Sequence, residues 1–178
     1  GFADASAEFG DIAAPTVLVP MVSMPAELAV VAAALVDLDV ELPLGAMVET
    51  PRAALCSAML APTVSTLSFG TNDLTQLTYG LSRDDSAPLL AQYRRRGLIE
   101  RDPFTSVDPV GVARLIALSV ETARGANAAV TFSLCGVHAA DPATVGLARH
   151  LGITTLSVSP SQVPAARLAA AHAVLGVS

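Results

Sequence analysis

Charge is scarce in this sequence. Only 15% of its 178 residues are charged, against 52% hydrophobic. That balance excludes a disordered chain and requires a well-buried interior, and the length suffices for one domain with a real core. Positive charge is scarcer than negative: ten Lys plus Arg stand against sixteen Asp plus Glu, for a net charge of -6. A negative surface repels phosphate backbones and anionic lipid, so neither nucleic acid nor a membrane surface is an expected partner. An anionic substrate would need a local cation, either Arg or a metal. No apolar run reaches the ~18 residues needed to span a bilayer. The opening residues Gly1-Phe2-Ala3-Asp4 are not a basic start before an apolar core, so no secretory signal is expected. Cysteine is limited to Cys56 and Cys135, with no metal-type spacing. Free thiols in a reducing, cytoplasmic compartment are therefore expected. The absence of an initial Met points to processing or to a piece of a longer chain.

Five apolar, β-branched-rich runs recur: 16–21, 45–49, 66–69, 130–135 and 154–158. They are near-continuously apolar, as strands buried on both faces are. Ala/Leu-rich stretches with helical character separate them. Residues 25–39 place Leu28, Val31, Ala32 and Leu35 at i, i+3, i+4 and i+7. Residues 51–60 open on Pro51, a first-turn proline. Residues 108–125 have Asp108 as a candidate N-cap, Pro109 at N1 and Gly125 as a stop. Residues 141–150 repeat that pattern with Asp141 and Pro142, and 161–176 form the last helix. Strand–helix alternation of this kind predicts an α/β fold with parallel strands. Residues 78–107 interrupt it as a polar, loop-rich connection, placed where an active-site loop would be.

The motifs that carry chemistry lie at predicted strand ends. Ser68-Phe69-Gly70-Thr71-Asn72-Asp73-Leu74-Thr75-Gln76 runs from a strand into a turn that presents an amide and a carboxylate beside a glycine. Glu49 ends the strand before it, and Cys135 ends the strand after it. In α/β folds chemistry gathers at the carboxyl ends of parallel strands. Taken singly, Glu49 also suits a helix-start acid before Pro51, Asp73 a cap or first-turn acid, and Cys135 a small buried hydrophobe.

Several segments together resemble one family. They are Gly45-Ala46-Met47-Val48-Glu49-Thr50-Pro51-Arg52-Ala53-Ala54-Leu55, residues 68–76, Ser82-Arg83-Asp84-Asp85, Asp102-Pro103-Phe104 and Cys135-Gly136-Val137-His138. In this order they resemble the C-terminal phosphoenolpyruvate/pyruvate-binding domain of the pyruvate, phosphate dikinase family. That domain is shared more loosely with phosphoenolpyruvate synthase and with enzyme I of the sugar phosphotransferase system. The resemblance runs from about Pro15 to Leu175, and the Ser-Arg-Asp-Asp and Asp-Pro-Phe pieces favour the dikinase.

The resemblance implies a (β/α)8 TIM-type barrel of which residues 1–178 supply the C-terminal five βα units. A full barrel runs about 250 residues, which agrees with an incomplete one here. The phosphohistidine and ATP-grasp domains, and the two phosphate-gripping arginines of the early strands, have no counterpart in the chain. The implied activity is a phosphotransferase with paired acceptors. It moves a phosphoryl group between a phosphohistidine and the enolate of pyruvate, making or consuming phosphoenolpyruvate with Mg2+. Glu49 and Asp73 match the family's metal ligands. Glu49, Gly70, Thr71, Asn72 and Asp73 match its substrate contacts, and Cys135 matches its proton donor. The implied partners are phosphoenolpyruvate or pyruvate, the missing barrel half and phosphohistidine domain in cis or trans, and a second copy in a full-length homodimer. The chain alone is expected to be inactive.

The family pattern Cys-Gly-Glu-His-Gly-Gly is altered here to Cys135-Gly136-Val137-His138-Ala139-Ala140, which predicts a changed loop after the cysteine. Two other functions fit the same residues. One is a Mg2+-dependent C–C lyase of the wider phosphoenolpyruvate/pyruvate barrel group. The other is a non-catalytic remnant that acts through association.

Overall fold

The computed structural model describes residues 15–176. Five short strands, β1 (Val17–Val19), β2 (Leu44–Val48), β3 (Thr66–Gly70), β4 (Thr131–Cys135) and β5 (Thr155–Ser157), form one parallel sheet in sequential order. Among the described residues eight α-helices accompany it: α1 (Pro25–Asp37), α2 (Pro51–Leu55), α3 (Ser57–Leu60), α4 (Thr71–Tyr79), α5 (Ala87–Arg95), α6 (Val112–Ala126), α7 (Pro142–His150) and α8 (Val163–Leu175). The expected parallel α/β alternation is the fold. Parallel neighbours need a crossover between them, and each strand-to-strand connection carries helix. None of these helices is long and apolar enough to cross a membrane.

The register fixes which side chains share a face. Val48 sits beside Phe69 and Phe69 beside Leu134, and Leu134 pairs with Leu156. This face turns to the helices and is fully buried at Val48, Leu67, Phe69 and Leu134. It joins Ala53, Ala54 and Leu60 of α2 and α3 and Val112, Ile116, Val120 and Ala123 of α6 in one core. Phe69 and Phe132 stack with centroids 6.3 Å apart, and the Arg124 guanidinium lies 5.2 Å from the Phe132 centroid. The opposite face differs from the apolar one expected. There Met47, Ser68, Ser133 and Thr155 lie in one row and Gly70, Cys135 and Ser157 in the next. Small hydroxyl side chains cover this face, and Thr155 and Ser157 are exposed. The runs looked continuously apolar because Ser and Thr alternate there with larger apolar residues.

Other differences have local causes. The expected 51–60 helix breaks at Cys56, whose φ of -109° and ψ of 19° depart from helical geometry. Asp108 caps, but one turn ahead of its helix. Its carboxylate accepts from the N–H groups of Val110, Gly111 and Val112, and α6 starts at Val112. In α1 Leu28 is buried and Val31 and Leu35 are half-buried, whereas Ala32 is exposed. The 78–107 connection is less loop-like than expected, since α5 lies inside it; Arg94, Arg95 and Arg96 close that helix on its exposed side.

Asp141 serves as expected at the start of α7. Its Oδ2 accepts from Thr144 N–H at 2.9 Å, from the Thr144 hydroxyl at 2.8 Å and from the Ser106 hydroxyl at 3.0 Å. One carboxylate thus caps α7 and ties it to the long connection. Asp141→Ala should cost about 1–2 kcal/mol, the upper range for an N-cap, measured as a lowered urea midpoint at unchanged m-value.

Candidate strand-end site

The carboxyl ends of β2, β3 and β4 bring together every residue singled out from the sequence. Glu49 follows β2, Gly70 ends β3, and Thr71, Asn72 and Asp73 form the first turn of α4. Cys135 ends β4 opposite Gly70. Glycine at position 70 is a steric requirement: a Cβ there would overlap the carboxylate and Cγ of Glu49. The Glu49 side chain therefore lies directly over the end of β3.

Glu49 is 6% exposed. Its Oε2 accepts from the Met21 N–H at 2.9 Å. Met21 has φ of +52°, a left-handed conformation that non-glycine residues seldom adopt. Nothing in the sequence marked this residue, because a methionine carries no signal for positive φ. Burial raises the Glu49 pKa; the Met21 hydrogen bond opposes that shift and the nearby Asp73 charge adds to it. A buried carboxylate whose charge is disfavoured beside a second hard oxygen donor is a setting that a divalent cation relieves.

Cys135 is half-buried and its thiol is free. Burial pushes its pKa up; a 4.0 Å contact from the Ser68 hydroxyl opposes this, and the charges of Glu49 and Asp73 add to it. The sulfur is therefore protonated at neutral pH. The Asn72 amide is divided in role. Its Oδ1 accepts from the Val137 N–H at 3.1 Å, so its NH2 group is not engaged in that bond. An open depression of about 620 Å³ beside it is lined by Asn72, Cys135, Gly136, Ser157, Ser159 and Gln162.

The altered loop after Cys135 keeps its backbone logic. Gly136 takes φ of +111°, and a Cβ on it would meet Thr71 Oγ1 at 2.7 Å and Asn72 Oδ1 at 2.9 Å. Residues Val137–Ala140 then form a 3-10 turn, with Ala139 buried. Neither Ala139 nor Ala140 has a positive φ. The one position that demands glycine still has it, so the two alanines are accommodated without strain. The Arg83 guanidinium lies 4.0 Å from the Asp84 carboxylate on the exposed surface. Cys56 lies at the α2–α3 break and takes no part. Among the described residues no three His, Cys, Asp or Glu side chains cluster as a metal cage. Mg2+ needs none, since it usually takes one or two protein carboxylates and fills its shell with water and substrate oxygens.

Two acids, a helix start and a thiol thus meet at the carboxyl ends of one parallel sheet, the place where α/β domains gather their chemistry. Comparison with known proteins narrows the possibilities. The profile of the PEP-utilising enzyme family, PEP-binding domain, matches residues 2–175, and the chain belongs to that family. Its relatives include pyruvate, phosphate dikinases from Rhizobium meliloti (strain 1021), 40% identical across 96% of this chain, and from Clostridium symbiosum, 37% identical across 90%. The chloroplastic dikinase of Flaveria trinervia is 39% identical across 90%. The chain spans about a fifth of the length of these relatives, 20%, 20% and 18% respectively. Among solved structures, the protein CitE from Mycobacterium tuberculosis in complex with magnesium and acetate shares the fold. Its TM-score is 0.55 at 23% identity, over 95% of this chain and 61% of that one. RipC from Yersinia pestis gives 0.55 at 15% identity, over 93% and 67%.

The raised pKa of Glu49 sets a pH dependence. Between the unfolded value, about 4.3 for Glu, and the higher folded value, the native chain binds more protons than the unfolded one. Stability is therefore lost as pH rises through the folded pKa. Glu49→Gln, which keeps an acceptor for Met21, should melt at higher temperature than the parent at pH 7. The difference should shrink as both are acidified below about pH 4.3. A difference that stays constant in melts across that pH range would contradict the assignment.

Proposed function

We propose that the chain is the phosphoenolpyruvate/pyruvate-binding portion of a pyruvate, phosphate dikinase-type phosphotransferase. It forms the C-terminal five βα units of a (β/α)8 barrel. The observation that carries this is the convergence of Glu49, Asn72, Asp73 and Cys135 on three adjacent strand ends of a domain in the PEP-utilising family. Two features support the partial barrel. β1 and β5 are edges of the sheet, which a closed barrel would pair. The first and last helices also expose Val30, Val36, Leu168, Val174 and Leu175, apolar surface that ordinarily packs against something. The preceding strands, and a phosphohistidine carrier, would be supplied in cis or in trans.

Each residue then has a task. Glu49 and Asp73 would hold Mg2+, with Gly70 giving the Glu49 carboxylate room to lie across the strand end. Bound there, Mg2+ would supply positive charge against the negative charge that develops on the enolate oxygen of pyruvate. The N–H groups at the start of α4 and the NH2 of Asn72 bind the carboxylate of the substrate, as helix starts bind anions. Cys135 is held protonated, so it can give its proton to the terminal carbon of the enolate: the S–H bond breaks, a C–H bond forms and a thiolate remains. In the reverse direction the thiolate takes that proton back.

Oxalate, a planar mimic of the pyruvate enolate, tests the metal half of the site by calorimetry on the whole chain. Binding should require Mg2+ and should weaken at least about tenfold, some 1.4 kcal/mol, in both Glu49→Gln and Asp73→Asn. Cys135→Ala should bind as the parent does. Metal-independent binding, or affinity that survives both substitutions, would overturn the proposal.

A further inference from the structure

His138 is the most enclosed titratable side chain near the strand ends, with no exposed surface. Its two ring nitrogens reach different parts of the chain. Nδ1 lies 2.7 Å from Thr71 Oγ1, at the head of α4. Nε2 lies 3.0 Å from the carbonyl of Pro103, in the long connection. Thr71 Oγ1 also lies 2.9 Å from the Cys135 carbonyl, to which its hydroxyl can donate. One imidazole thus links three segments separated by 35 and 67 positions in sequence.

Proton counting defines the linkage. The Pro103 oxygen only accepts, so Nε2 must carry a proton to bond it. Burial lowers the His138 pKa against the opposing pull of the Pro103 carbonyl and of Asp141 and Asp102, with the Arg83 charge lowering it further. The ring is then neutral at neutral pH, and its single proton sits on Nε2. Nδ1 is an acceptor, and its donor is the Thr71 hydroxyl. That hydroxyl has one proton for two acceptors, Nδ1 and the Cys135 carbonyl. It lies between the ring and the backbone that carries the thiol.

We propose that His138 is a positioning residue of the strand-end site: through Thr71 it fixes the head of α4, and with it Asn72 and Asp73, against the backbone of Cys135. The proposal rests on reading those strand ends as the functional site, but its geometry does not depend on any ligand. Thr71 is fully buried, and Gly136 packs against both Thr71 and Asn72, so a shift of Thr71 displaces the Cys135 loop as well. The Asn72–Val137 hydrogen bond transmits the same shift from the other side.

The test separates the two ring nitrogens in the whole chain. His138→Asn offers a polar atom near the Nδ1 position and keeps a partner for Thr71. His138→Gln offers a donor near the Nε2 position and keeps the Pro103 contact alone. Thr71→Val removes the shared hydroxyl at similar volume. The probe is the rate at which iodoacetamide alkylates Cys135, resolved from Cys56 by peptide mass spectrometry, with the melting temperature recorded in parallel. His138→Gln and Thr71→Val should each speed Cys135 alkylation about three- to tenfold, the factor equivalent to one ordinary hydrogen bond. Their double variant should be no faster than either alone. His138→Asn should stay near the parent, and the Cys56 rate should not move. An unchanged Cys135 rate in His138→Gln, equal rates in the Asn and Gln variants, or parallel acceleration of both cysteines would overturn the proposal. None of these readings needs Mg2+ or oxalate, so they stand whether or not the chain binds that pair.

Discussion

The parallel register across β2, β3 and β4 is the constraint on which the strand ends depend. Val48, Phe69 and Leu134 sit side by side on the helix-facing side and are fully buried. Because side chains alternate along a strand, burying that row sends Gly70 and Cys135 to the other face. A slip of one residue would reverse every one of them. The apolar row thus does more than stabilise the sheet. It decides that Glu49, Gly70 and Cys135 end their strands at one level, on one side, with α4 starting among them.

Packing at that level is close enough to leave few choices. Glu49 lies over Gly70 because no Cβ intervenes, and it finds its hydrogen-bond donor because Met21 turns its backbone inward. A left-handed methionine costs about 1 kcal/mol or more, which the surrounding structure must offset. Strain of this kind tends to gather at functional positions. The same crowding governs the chemistry. A buried carboxylate beside Asp73 is harder to ionise, and the thiol of Cys135 stays protonated near both acids. A buried acid beside a second one suits a cation, and a protonated thiol suits a donor.

Much of the fold was legible along the chain. Strand and helix alternation, the Pro-led helix starts and the cap at Asp141 all rest on forces between near neighbours, and all five strands lie within or close to the expected runs. The positions of Glu49, Asn72, Asp73 and Cys135 at strand ends were legible for the same reason. The polar face of the sheet was missed, since Ser68, Ser133 and Ser157 look innocuous inside apolar runs. The extent of the helix at Ala87–Arg95 was not legible, because the polar stretch around it masks its short apolar side, although the Arg94–Arg96 run suits an exposed helix surface. The loop after Cys135 was expected to change with its lost glycines, yet only Gly136 needs a positive φ.

The sequence by itself determined the family, the parallel α/β alternation and the residue types gathered at the strand ends. These follow from local periodicity, from turn and cap chemistry, and from motifs a few residues long. Only the tertiary structure decided that Met21 holds Glu49, that Asn72 spends its carbonyl on Val137, and that His138 joins Thr71 to Pro103. Those contacts join residues between 28 and 67 positions apart. Their geometry depends on how whole elements pack, and no pattern in the intervening residues encodes it.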